Sequence, residues 1–169
     1  MIVIITGTTH TGKTALSQRL LEKYKFPYLS IDHLKMGLIR SKQTTIDVDD
    51  DEKLTPYLWL IVKEIIKTAI ENSQNLIVEG CYVPFDWKKD FSKKYLSQIK
   101  YYCLIMSKNY VQNHFSDILA NESAVEQRVT DDLTQEYLIK ENQRYLQMCK
   151  KHKLNYILID TEYKVDVEL

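Results

Sequence analysis

Short runs of apolar and β-branched residues recur along the chain at 2–6, 27–31, 75–79, 101–106 and 156–159, and the segments between them repeat apolar residues at helical spacing. Strands alternating with helices in this way predict a parallel sheet with crossover helices against its faces. Between the first two runs, Leu16, Leu20 and Tyr24 mark one face of a helix over 13–24. Between the second and third, Thr55 suits an N-cap and Pro56 the first helical position, ahead of Leu58, Val62, Ile65 and Ala69. Near the C-terminus, Asp132 and Gln135 form a capping pair before a stripe of Leu138, Tyr145, Cys149 and His152. The expected architecture is an α/β fold, a three-layer α/β/α sandwich around a five-stranded parallel sheet.

At 169 residues the chain suits one domain over 1–169 with a substantial core, and 44% hydrophobic with 27% charged residues is ordinary for a globular protein. Two polar segments interrupt the pattern. Residues 42–53, with Asp47 and the acids at 49–52, suggest a solvated loop or an acceptor-side flap, and 121–130, with Glu122, Glu126 and Arg128, suggest a lid. Lys+Arg and Asp+Glu both number 23, so neither a nucleic-acid backbone nor an anionic membrane is the expected partner. Only Arg19, Arg40, Arg128 and Arg144 are available for bidentate anion contacts. Cys81, Cys103 and Cys149 are odd in number and widely spaced, which fits a reducing compartment rather than a disulfide or thiolate-metal framework. No apolar run reaches the length of a membrane span, and residues 2–5 are too short for a signal-peptide core, so a cytoplasmic protein is expected, as a monomer or small homo-oligomer.

One motif carries specific chemistry. Gly7-Thr8-Thr9-His10-Thr11-Gly12-Lys13-Thr14 fits GxxxxGK[ST] between a predicted strand and a predicted helix, and it holds two of the chain's four glycines. Gly7 and Gly12 let successive backbone N–H groups converge on phosphate oxygens at the positive end of the helix. Lys13 suits the β- and γ-phosphates of ATP, and the Thr14 hydroxyl suits Mg²⁺. His10 occupies a variable position, so it contributes only its place in the loop. Tyr57, Trp59, Phe85, Trp87 and Phe91 are large enough to stack on a base, but such residues are more often core.

With these residues the chain resembles the small kinases of the P-loop NTPase fold, a group that includes adenylate, shikimate and gluconate kinases. The resemblance implies ATP- and Mg²⁺-dependent transfer of a phosphoryl group to a small metabolite, nucleoside or nucleotide. It implies an acid at the end of the second strand, where Asp32 stands, serving as general base or substrate contact. It implies a second acid at the end of the third, where Glu79 replaces the usual Asp, near the metal and the acceptor. Arg40 falls in the stretch that packs over an acceptor, where it would favour an anion. Arg128 falls in the lid, where it would neutralise the transferring group. Adenine contacts would come from the loop near Asp160 and Thr161. Arg144 reads as a solvated helix face, and Cys81 as structural. The alternative is a non-catalytic nucleotide switch, but the chain has no NKxD or LSGGQ-type sequence.

Overall fold

The computed structural model describes residues 1–120 and 133–169. Its elements are β1 (Ile2–Gly7), α1 (Lys13–Tyr24), β2 (Tyr28–Ser30), α2 (Ile31–Arg40), α3 (Asp51–Glu71), β3 (Leu76–Glu79), α4 (Lys93–Leu96), β4 (Ile99–Met106), α5 (Lys108–Ala120), α6 (Gln135–Lys151) and β5 (Tyr156–Ile159), with a 3-10 turn at Trp87–Asp90. The strands pair in the order β2-β3-β1-β4-β5, all parallel.

The centre of the sheet is dry because β1 is apolar on both faces. Ile2 and Ile4 pack with Leu58, Val62 and Ile66 of α3, whereas Val3 and Ile5 pack with Leu16 and Leu20 of α1 and Val111 of α5. Helices therefore cover both faces, the arrangement that a continuous apolar strand in a parallel sheet requires. Trp59, Trp87 and Phe91 belong to this core, Trp87 stacking on Tyr101 at 5.4 Å and meeting Phe91 edge-on at 5.8 Å.

Two helix starts differ from the sequence expectation. α3 begins at Asp51, and its N-cap is Asp50, whose carboxylate accepts from the Lys53 amide at 3.1 Å. Asp50 outcompetes Thr55 because it caps while Asp51 and Glu52 place negative charge at the helix's positive pole. Pro56 consequently sits inside the helix and forfeits one hydrogen bond. The polar stretch 42–53 is thus divided, its last three residues being the first turn of α3. At α6 the cap is Thr134, accepting from the Tyr137 amide at 3.2 Å. Asp132, the expected cap, lies outside the described residues, as does the proposed lid with Arg128.

One buried amide joins α6 to the sheet. Asn142, 1% exposed, accepts from the Met106 amide at 2.7 Å and donates to the Leu138 carbonyl at 2.8 Å. Replacing it by Leu leaves the Met106 N–H buried without an acceptor, a loss of about 1–3 kcal/mol. Urea denaturation is expected to show that drop, and an unchanged midpoint would mean another acceptor takes over. Among the described residues, no helix is long and apolar enough to cross a membrane.

Candidate functional site

The C-terminal ends of the strands, where an open parallel sheet presents its crevice, bring three candidate segments together. β1 ends at Gly7, and the register places Glu79 of β3 beside both Ile5 and Ser30. Beyond Gly7 the chain turns sharply, with positive φ at His10 (63°) and Gly12 (80°), and enters α1 at Lys13. The Thr8 carbonyl fastens this turn by accepting from the Thr11 hydroxyl at 2.9 Å and from Lys13 Nζ at 2.7 Å. Gly12 caps α1 without a side chain, and the first helical turn contains no acid, so the positive pole is left for an external anion. Lys13 is nearly buried, and its charge is held over the loop rather than dispersed in solvent.

Beside the loop stands a pair of oxygens suited to a hard cation. The Thr14 hydroxyl donates to Glu79 Oε2 at 3.4 Å, and Glu79 is 1% exposed. Among the described residues, no three His, Cys, Asp or Glu side chains converge as a ready-made metal cage. A Mg²⁺ ion held here would therefore take most of its ligands from water and phosphate, the coordination that this ion favours.

A second cluster lines the other side of the crevice. Asp32 lies in the first turn of α2, with Lys35 Nζ 3.8 Å from its Oδ1. The same ammonium donates to the Tyr82 hydroxyl at 2.7 Å, and Tyr82 donates in turn to Asp51 Oδ1 at 2.9 Å. This relay ties α2, α3 and the segment after β3 together. Burial, followed by Asp32 and Asp51, raises the Tyr82 hydroxyl far above its ordinary pKa, so it stays a donor. Cys81 lies between the two clusters. Burial pushes its thiol up, Lys13 partly offsets this, and Asp32 and Asp51 add to it. Cys81 is thus a thiol that burial keeps protonated, the form that is a poor nucleophile.

On the opposite flank of α1 the C-terminal segment closes over the loop. Tyr163 donates to the Thr11 carbonyl at 3.2 Å, and Arg19 donates to the Val165 carbonyl at 2.8 Å. Arg19, Tyr163, Lys164, Val165 and Asp166 line an open cleft of 430 Å³. Asp160 and Thr161, near which adenine contacts were expected, are not among its lining residues.

The structure brings together the 7–14 loop, Asp32 and Glu79. It does not bring Arg40 to them, since that residue is exposed at the far end of α2, about 12 Å along the helix axis from Asp32. Arg144 is not simply solvated: it forks onto Glu141 at 2.7 Å and lies 5.0 Å from the Tyr145 ring centroid. Lys35, Asp51, Tyr82 and Tyr163 were not legible as site residues. Lys35 had one signal, its spacing three residues after Asp32 on the same helix face.

No family model matches the chain, and no curated protein does. Among solved structures it is similar to a protein from Chloroflexus aurantiacus j-10-fl assigned as a kinase, at 17% identity and a TM-score of 0.56, over 98% of this chain and 91% of that one. It is also similar to shikimate kinase from Bacteroides thetaiotaomicron, at 11% identity and a TM-score of 0.53, over 95% and 86% of the two chains. The fold is therefore the α/β fold of P-loop NTPases. That fold is shared with these two structures.

Proposed function

We propose that the protein is a phosphotransferase that moves the γ-phosphoryl group of ATP to a small-molecule acceptor in the presence of Mg²⁺. The observation that carries this reading is the adjacency of two half-sites: the fastened 7–14 loop with Lys13, Thr14 and Glu79 on one side, and Asp32 with its relay on the other. A switch needs only the first. Mg²⁺, when bound, neutralises phosphate charge. The protein's own groups do the rest, because phosphoryl transfer depends mainly on positioning and electrostatic stabilisation.

Backbone N–H groups of residues 7–14 hold the phosphate tail, and Lys13 meets the charge that develops on the transferring group. Thr14 and Glu79 hold the metal. Asp32 takes the proton from the acceptor hydroxyl as its oxygen bonds to the γ-phosphorus, and the bridging bond to the β-phosphate breaks to release ADP. Arg128 is assigned to the closing segment by resemblance alone.

The test is transfer from γ-labelled ATP with Mg²⁺ to a panel of hydroxyl acceptors. Tight ATP binding without transfer to any acceptor would replace this reading with a nucleotide-binding protein. Glu79→Gln keeps the size of the side chain and removes its charge. It is expected to lower turnover by about 10²-fold, the scale of losing one charge-placing group, and to raise the Mg²⁺ concentration needed for half-maximal rate. An unchanged Mg²⁺ titration would remove Glu79 from the metal site.

A further inference from the structure

Beside the proposed metal half-site lies a serine whose hydroxyl the rest of the fold does not engage. Ser30 ends β2 and is 2% exposed, and among the described residues its Oγ has no hydrogen-bond partner. Buried hydroxyls are almost always partnered, because burial strips them of water. Ser30 also occupies the N-cap of α2, where a serine ordinarily accepts from a helix amide, yet it makes no side-chain cap bond. Given the phosphotransferase reading above, we infer that Ser30 is a positioning residue for the Mg²⁺ site: its hydroxyl accepts from a water in the ion's shell and so helps to fix the ion beside Thr14 and Glu79.

The sheet register supplies the direction. Ile5, Glu79 and Ser30 form one row across β1, β3 and β2, and residues paired in such a row point to the same face of the sheet. Ile5 packs with Leu16 and Leu20 of α1, so Glu79 and Ser30 face α1 as well. The Thr14 hydroxyl, in the first turn of that helix, reaches Glu79 from the same side. Neighbouring strands lie about 4.8 Å apart, which sets Ser30 one strand spacing from Glu79. Thr6, Trp87 and Tyr101 also carry a buried polar atom without a partner, but not in this position. Thr6 follows Ile5 on β1 and faces away from α1, and Trp87 and Tyr101 belong to the core on the α3 face. Mg²⁺ keeps several of its waters, and a water bound through its oxygen presents only O–H groups outward, so the site needs acceptors. Glu79 is one, and Ser30 Oγ, held by the strand, is another.

The test measures ATP binding to the full chain by calorimetry, in EDTA and across a Mg²⁺ titration, beside urea denaturation without nucleotide. Ser30→Ala is expected to bind ATP in EDTA as the wild type does, and to need about 10-fold more Mg²⁺ for the half-maximal gain in affinity, the scale of losing a group that holds a metal's surroundings in place. Its urea midpoint is expected to hold or rise, since no bond is lost and a buried hydroxyl without a partner is removed. A merely structural serine would lower the midpoint and leave the Mg²⁺ requirement alone. Ser30→Cys, close in shape but a weak acceptor, is expected to show the same Mg²⁺ shift and decides the matter if Ser30→Ala does not fold. An unchanged Mg²⁺ requirement, or an equal loss of ATP affinity with and without Mg²⁺, overturns the inference, while transfer by the wild type keeps the phosphotransferase reading. ATP binding by the wild type that ignores Mg²⁺ overturns the inference and the metal site together. The Mg²⁺ shift in a protein whose wild type transfers to no acceptor overturns the phosphotransferase reading and retains Ser30 at the metal.

Discussion

Lys13→Met is expected to lower phosphoryl transfer by about 10²–10³-fold, the usual loss when one preorganised charge is removed from a transition state, while the protein stays folded. The reason is local. The ammonium is nearly buried, so it acts at low effective dielectric on whatever lies in the loop, and no other described cation is shown bonded to the loop. Met keeps a similar length and apolar volume. The substitution also leaves the loop supported, because the Thr8 carbonyl retains the Thr11 hydroxyl as donor at 2.9 Å. A loss of turnover without a loss of structure is therefore the specific outcome, read from single-turnover transfer alongside circular dichroism. ATP affinity should fall as well, since the same charge holds the ground state. Lys13→Arg is not expected to rescue the rate, because a planar fork does not fit a slot shaped for a compact ammonium. Wild-type transfer in Lys13→Met would mean that the loop does not hold the reacting phosphate.

Legibility in the sequence tracked the range of the interaction. The strands were readable because their burial is two-sided and their residues are locally uniform, as in 2–6 and 101–106; β4 merely begins two residues earlier, at Ile99. The 7–14 loop was readable because its chemistry is encoded in contiguous residues with fixed spacing. The start of α3 was misread because two capping signals stood close together, and Asp50 gained from the acids after it, a cooperative effect that a single-residue preference does not express. The acceptor-side relay was hidden for another reason. Lys35, Tyr82 and Asp51 come from three segments, up to 47 residues apart, that meet only because β3 lies between β2 and β1. Tyr163 was equally hidden, lying 152 residues from the Thr11 carbonyl it bonds. Arg40 illustrates the converse: a residue type suited to anions was readable, but the rigid rise of α2 carries it away from Asp32.

Gly7→Ala is expected to be the most damaging small substitution in the chain, whereas Gly12→Ala, five residues on, should be partly repairable. Both glycines have positive φ, 145° and 80°, so both replacements strain the backbone. The surroundings separate them. A methyl group at Gly7 would lie 2.4 Å from the Leu104 carbonyl oxygen, which belongs to the neighbouring strand β4 and is fixed by the sheet register. Relief requires β1 and β4 to part, and the loop would lose its origin with them. A destabilisation of about 3 kcal/mol or more follows, combining backbone strain with lost packing. At Gly12 the methyl group would meet the Tyr163 hydroxyl at 1.9 Å, the free end of a side chain that can rotate away. There the remaining cost is the left-handed backbone of a non-glycine residue, about 1–2 kcal/mol. Adding Tyr163→Ala to Gly12→Ala should recover part of the lost stability, while no side-chain truncation should rescue Gly7→Ala. Denaturation midpoints of the two single variants and the double variant measure this. Equal losses at the two glycines would mean that backbone strain alone sets the cost, and that the close approach of β4 does not fix where the loop begins.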